Sequence, residues 1–224
     1  HLLLAEHLGI ESIRVAMGSS IGGFQAMEMA LLKPGLIRKL ILIATSARTQ
    51  PWAIAQNESQ RMAIEADCTF GEHNPEAGLK GMAVARSLGL LSYRGWSAYD
   101  ATQQEYEDTD KVKGFRAASY QRYQGEKLCK RFNADSYYRM SQAFDSHNIG
   151  RGRGGVEEAL KQIHIPTLVV GITTDIIFPL SDQEYLHDHI PGARLEVIES
   201  EFGHDGFLVE HDKLNGIIKP FIED

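Results

Sequence analysis

Cysteine is scarce in this sequence, with two among 224 residues, Cys68 and Cys129. They form no C-x-x-C pair, so neither a redox motif nor a thiolate metal site is indicated. One disulfide between them is possible, but two buried free thiols of a reduced, cytoplasmic protein are the expected state. No apolar run reaches eighteen residues, so no transmembrane helix is expected and a membrane is excluded as partner. A surplus of basic residues is also absent: 23 Lys and Arg face 30 Asp and Glu, a formal net charge of -7. That balance argues against nucleic acid as partner, because phosphate backbones attract basic surfaces. No cluster of histidines and acids has zinc spacing, so no metal is called for. Repeats and low-complexity tracts are missing as well. The first ten residues, HLLLAEHLGI, lack a basic n-region and a small-residue cleavage site, and read as an amphipathic helix. The chain opens on histidine and leads straight from that helix into a strand, so further sequence upstream is expected.

What remains is a globular composition, 43% apolar and 24% charged, with length enough for one domain carrying a large insertion. Leu2, Leu3, Leu4 and Leu8 fall largely on one side of a helix over 1–8, with Gly9 as its C-cap. A short strand is expected at 13–17, a helix at 21–32 stopped by Pro34-Gly35, and a second strand at 37–44. The apolar tail of that second strand suits a strand covered on both faces, and the strand–helix–strand unit calls for a right-handed parallel crossover. From 49 to 158 strand-like runs cease, and helical patterns appear around 53–66, 76–91 and 117–144. A structureless loop of that length is implausible, so a helical insertion is expected. The alternation resumes with a buried strand at 165–171, a helix at 180–190, a strand at 194–198 and a helix within 206–221. The predicted architecture is α/β, an α/β-hydrolase-type fold with a mostly parallel sheet flanked by helices. Residues 1–48 and 159–224 form its core, and 49–158 form a helical lid insertion.

The strongest chemical signal is GSSIGG at 18–23, a G-x-S-x-G pattern with Ser20 as its serine, placed between a strand and a helix. A nucleophile on such a sharp turn has crowded neighbours two residues to either side, and both, Gly18 and Gly22, are glycine. Ser19, flanked at that spacing by Met17 and Ile21, does not fit. The same turn aims the backbone N–H of Ile21 where an oxyanion would form. The bland alternative is a glycine-rich turn that binds a phosphate or nothing.

Asp175 in GITTDIIFP follows the strand at 165–171, in the loop position where open α/β sheets place their sites. It could equally cap the next helix or be solvated. His204 in SEFGHDG lies in a glycine-flanked loop after the last strand, from which an imidazole can reach between Ser20 and Asp175. Its plain alternative is one exposed histidine among nine. The order Ser, Asp, His is the one α/β-hydrolases use. A serine hydroxyl needs such a base, and the base needs a carboxylate to fix its tautomer.

Longer blocks carry a more specific resemblance. LLAEHLGI leading to GSSIGGFQAMEMA, GLKGMAVARSLGLLSYR, YQGEKLCKRFNADSY, LVVGITTDIIFP and SEFGHDGFLVE make the chain similar to the homoserine O-acetyltransferase family of the α/β-hydrolase superfamily. The resemblance implies Ser20 as the acylated residue, with Asp175 and His204 as its partners. It makes Arg86 the holder of the amino acid's carboxylate, Tyr93 its neighbour and Asp205 the reader of the amino group. On the residues alone, Arg86 could be an ion-paired lid residue, Tyr93 a packing residue and Asp205 a helix cap. Arg61, Arg116, Arg122 and Arg131 remain alternatives for polar roles in the lid.

The implied reaction moves an acetyl group from acetyl-CoA, a co-substrate and not a bound cofactor, to L-homoserine. The implied setting is the cytoplasm and methionine synthesis, with a homodimer formed through the helical lid. Ile21 stands where the family usually has methionine, and the stretches ADCTFGEHNPEAG and RGWSAYDATQQ depart from relatives, touching the pocket entrance and not the triad. Family members also carry several strands before the helix that begins here, and one of their loops supplies a second oxyanion donor. The rivals are an O-succinyltransferase or L-serine O-acetyltransferase of the same family, a serine ester hydrolase, and a non-catalytic scaffold that keeps the fold.

Overall fold

The computed structural model describes residues 1–107 and 110–224. They divide into two compact units, one of residues 1–49 and 147–224, the other of residues 50–146.

The first unit holds a four-stranded, all-parallel sheet in the order β1-β2-β3-β4. Helix α1 (Leu2–His7) precedes β1 (Ala16–Ser19), and α2 (Ile21–Leu32) connects β1 to β2 (Leu40–Ile43). After the helical unit come α8 (Val156–Leu160), β3 (Thr167–Ile172), α9 (Leu180–His189) and β4 (Arg194–Ile198). A 3₁₀ turn (Gly203–Asp205), α10 (Gly206–Val209) and α11 (His211–Glu223) close the chain. Every residue of β2 and β3 is buried, as the apolar runs LILI and TLVVGI require of strands with both faces covered. Ile41 and Ile43 of β2 join Leu168 and Val170 of β3 in one cluster with Leu214 and Phe221 of α11. Burying each such side chain contributes about 1.5–3 kcal/mol.

β1 lies at one edge of the sheet, and its Met17 is exposed. The apolar side expected of the first helix faces solvent: Leu3, Leu4 and Leu8 are exposed, while Ala5 is buried. Gly9 takes the left-handed conformation expected after that helix.

The first strand departs from its expected place at 13–17. It runs over 16–19, because its ladder is set by pairing with 40–43, and Ile13 contributes only an isolated bridge to Ile37. The segment 147–158 also departs from its expected place in the insertion and belongs to the first unit. Asn148 bridges Arg48, Arg153 pairs with Glu28 at 2.6 Å, and the His147 ring stacks on Phe24 at 3.8 Å.

The second unit is helical: α3 (Pro51–Glu65), α4 (Leu79–Tyr93), α5 (Trp96–Gln103), α6 (Arg116–Cys129) and α7 (Ala134–Asp145). Pro51 opens α3 at the position where its missing N–H costs nothing. The single helix expected at 117–144 is two. Asn133 caps α7 by accepting from the Ser136 N–H at 2.8 Å, which starts a new helix after the turn at 130–133. Ile64, Met82, Ala85 and Leu128 form the unit's apolar centre. Arg61, an alternative for a polar role in the lid, is buried and committed to structure. It pairs with Glu58 at 2.5 Å and Asp145 at 2.6 Å, and donates to Ser141 at 2.7 Å, tying α3 to α7.

Both cysteines are free, but the expectation that both are buried fails for Cys68, which is exposed in the turn after α3. Cys129 is half-buried, its Sγ 3.2 Å from the Leu79 carbonyl, and burial raises its pKa. Among the described residues no helix is long and apolar enough to cross a membrane.

Candidate active site

Ser20 sits between the end of β1 and the first residue of α2, with φ 52° and ψ -126°. This is left-handed backbone, strained for a residue with a side chain, of the kind that clusters at functional sites. The Ser20 N–H donates to the Ile43 carbonyl at 3.0 Å, so β2 holds the turn from beside it.

Gly18 is required there, because a Cβ would lie 2.1 Å from the Gly22 carbonyl oxygen. The expected matching need at Gly22 is not found: a Cβ at Gly22 meets nothing within 4 Å. The crowded partner is Gly23, where a Cβ would lie 2.5 Å from the Thr45 side chain. Position 22 contributes its backbone to the crowding of Gly18, while position 23 faces the end of β2.

Asp175 and His204 come from loops after neighbouring strands, β3 and β4, and meet. His204 Nδ1 lies 2.7 Å from Asp175 Oδ2, with side chains 7% and 0% exposed. The other carboxylate oxygen, Oδ1, accepts the backbone N–H groups of Ile177 at 2.8 Å and Phe178 at 3.0 Å. An ionised carboxylate only accepts hydrogen bonds, so Nδ1 carries the proton and Nε2 is left with the lone pair of a base. The alternatives of a solvated acid and an exposed loop histidine do not hold for this buried pair.

Phe178 and Phe207 flank the imidazole, with ring centroids at 5.5 and 5.2 Å. Two threonines that belong to no recognisable motif tie the acid loop to the histidine loop. The Thr174 hydroxyl donates to the Ser200 carbonyl at 2.7 Å and accepts from the Gly203 N–H at 2.9 Å. Thr173 Oγ1 accepts from the Ser200 N–H at 3.2 Å. Their only sequence signal is adjacency to Asp175.

Ile21 is the first residue of α2, and first-turn N–H groups have no acceptor within their own helix. Its N–H can therefore serve an oxyanion. Asp205 follows His204 directly, is partly exposed, and its side chain makes no capping bond to α10.

Arg86 and Tyr93 belong to the helical unit, both on α4, and are half-buried. The Arg86 guanidinium carbon lies 5.2 Å from the centroid of the Tyr93 ring. Tyr137 of α7, which sequence reasoning did not identify, completes this group. Its hydroxyl lies 2.5 Å from Gln60 Oε1 and also hydrogen-bonds Tyr93. Burial drives the Tyr137 pKa far up, and the nearby Tyr93 adds to the rise. The hydroxyl therefore remains a neutral donor.

His147 is a half-buried, uncharged histidine of the sheet-bearing unit, its pKa lowered to about 4 chiefly by desolvation. No group of three or more metal-ligating side chains is present among the described residues.

The sequence profile of the alpha/beta hydrolase fold matches residues 3–211. A curated homoserine O-acetyltransferase from Cyclobacterium marinum is 45% identical over 215 residues, covering 96% of this chain and 61% of that protein. The chain thus spans about three fifths of that relative's length. The crystal structure of homoserine O-acetyltransferase from Staphylococcus aureus superposes with a TM-score of 0.79 at 29% identity, over 99% of this chain and 62% of that one. An acetylester hydrolase from Corynebacterium glutamicum superposes with a TM-score of 0.81 at 24% identity, over 99% and 63% of the two chains, a likeness of fold alone. With the nucleophile-type elbow, the parallel sheet and the profile match in agreement, this chain belongs to the α/β-hydrolase fold family.

Proposed function

We propose that the protein to which this chain belongs is a homoserine O-acetyltransferase, with Ser20 as nucleophile, His204 as base and Asp175 as its orienting carboxylate. The observation that carries the chemistry is the buried 2.7 Å Asp175–His204 contact, in the same compact unit as a strained serine elbow. The 45% identity to a homoserine O-acetyltransferase favours transfer over hydrolysis.

In this reading His204 Nε2 takes the Ser20 proton as the hydroxyl oxygen attacks the thioester carbonyl of acetyl-CoA. The Ile21 N–H donates to the resulting oxyanion. The tetrahedral adduct collapses, the C–S bond breaks, and the proton passes from His204 to the departing CoA thiolate. The acetyl-serine ester is then attacked by the homoserine hydroxyl, whose proton His204 accepts and returns to Ser20 Oγ as that bond breaks. Arg86 binds the acceptor's carboxylate through its planar fork, with Tyr93 beside it, and Asp205 binds its ammonium group.

Helix α4 of the helical unit carries exposed Val84, Leu88 and Leu91 at helical spacing, which supports a homodimer contact on that unit. A cytoplasmic setting follows in this reading from the resemblance to homoserine O-acetyltransferases alone.

The test is a donor and acceptor panel on the full-length protein, with acetyl-CoA or succinyl-CoA against L-homoserine, L-serine and water. Acetyl-CoA consumption that depends on L-homoserine is expected. Consumption at an unchanged rate without any acceptor would make the protein a hydrolase.

A further inference from the structure

The Ser20–Ile21 peptide carries two groups with different duties. The Ser20–Ile21 peptide is trans, so the Ser20 C=O and the Ile21 N–H lie in one rigid plane and point in opposite directions. Whatever fixes the carbonyl fixes the direction of the N–H. The Thr45 hydroxyl donates to the Ser20 carbonyl oxygen at 2.8 Å, and the Gly23 N–H reaches the same oxygen at 3.0 Å.

Three independent features converge on Thr45. Ala44 before it has φ 46°, left-handed for a residue with a side chain, which turns the end of β2 sharply. Gly23 leaves the space that Thr45 occupies, since a Cβ there would lie 2.5 Å from both Thr45 Oγ1 and Cγ2. Gln183 of α9 donates from Nε2 to the Thr45 carbonyl at 2.8 Å, and both residues are 0% exposed. A backbone kink, a missing side chain and a buried amide thus hold one hydroxyl against one carbonyl.

We infer that Thr45 is a positioning residue for the oxyanion donor: its hydroxyl pins the Ser20–Ile21 peptide and strengthens the Ile21 N–H. A donor on the carbonyl oxygen polarises the amide, so the opposite N–H becomes a better donor in turn. The gain is largest when negative charge has built up on the substrate oxygen, so it lowers the barrier more than it tightens substrate binding. This inference rests on the proposed reaction at Ser20.

The test uses full-length protein bearing Thr45→Val, close in volume but without the hydroxyl, and Thr45→Ser, which keeps it. Single-turnover formation of the acetyl-enzyme gives a maximal rate and a half-saturating acetyl-CoA concentration. Binding of a small boronic acid, which adds to a nucleophilic serine as a tetrahedral anion, gives a second readout. Thr45→Val should slow acylation about 10-fold, below the ~10²–10³ expected for loss of a whole oxyanion donor. It should weaken the boronate by a similar factor and leave half-saturation and the pH dependence unchanged. Thr45→Ser should restore both readouts to near the wild-type values. In Thr45→Val the Ser20 carbonyl keeps its Gly23 partner, so folding is expected, and Thr45→Ala gives the same loss should valine overpack.

Wild-type acylation in Thr45→Val, or a loss that falls wholly on half-saturation, would overturn the inference. Ser20→Ala separates the parent reading: acylation that survives it refutes Ser20 as nucleophile, whatever Thr45 does.

Discussion

In the sheet-bearing unit the Asp175–His204 pair is held by backbone donors and by two threonine hydroxyls. Two N–H groups fix the carboxylate, and threonines beside it lock the histidine loop. In the helical unit Arg86, Tyr93, Tyr137 and Gln60 are held by one another, on α4, α7 and α3. Backbone donors in the loop after a parallel strand keep their places whatever side chains surround them, and so suit a proton-transfer pair that tolerates little misplacement. Side-chain groups on separate helices change with each substitution, and under the proposed function such a group suits selection of the acceptor.

The largest effect expected of this contrast is at Asp175. Asp175→Asn leaves the size unchanged but offers an N–H where His204 needs an acceptor, which favours the wrong tautomer. Acylation of the full-length protein should fall about 10³- to 10⁴-fold, read by single-turnover kinetics. A loss below 10-fold would show that the pair is structural.

The next effect is on the stability of the sheet-bearing unit. His147 is neutral when folded, with a pKa of about 4 set chiefly by desolvation, opposed by Glu28 and reinforced by Arg151 and Arg153. Unfolded, it would titrate near 6.5, so between pH 6.5 and 4 the unfolded chain binds the extra proton. Stability should hold above pH 6.5 and fall by about 3 kcal/mol toward pH 4, with His147→Phe flattening that fall. Denaturant midpoints across this range check it, and exchange of unit-one amides should respond before those of the helical unit.

A smaller effect is expected at Arg86. Arg86→Lys keeps the charge and loses the fork, costing about 10- to 100-fold in turnover of the acetyl-enzyme by homoserine. Formation of the acetyl-enzyme should stay within about 2-fold, against the 10- to 100-fold loss at a charged hydrogen bond. Equal losses in both steps would erase the contrast between the two regions. The smallest effect is at Tyr137. Tyr137→Phe strands the buried Gln60 oxygen and should destabilise the helical unit by about 1–3 kcal/mol, read as a lower unfolding midpoint.

These differences also explain what the sequence disclosed. Helix α2 and strand β4 are found at 21–32 and 194–198, where they were expected, because glycine and proline bound their apolar patterns. Ser20, Asp175 and His204 stood out because each lies in a short glycine- or strand-bounded motif. β1 was displaced because pairing with β2, not the apolar run, sets its ends. The break at 130–133 hid behind continuous helical periodicity, and α5 had no pattern strong enough to mark it. Thr45 and Tyr137 were invisible for another reason. Their roles depend on partners 25 and 77 residues away, which no local spacing encodes. The motif's crowding holds at Gly18, but the second crowded glycine is Gly23 and not Gly22, because the crowding comes from Thr45 just after β2.

The central claim is that Ser20 carries the acetyl group between donor and acceptor. Full-length protein would be incubated with acetyl-CoA and no acceptor, quenched in acid, digested and mapped by mass. The account predicts one acetyl group on Ser20, discharged when L-homoserine is added before the quench. An acetyl group on Ser19, or none on any residue while acetyl-CoA is being consumed, would contradict it.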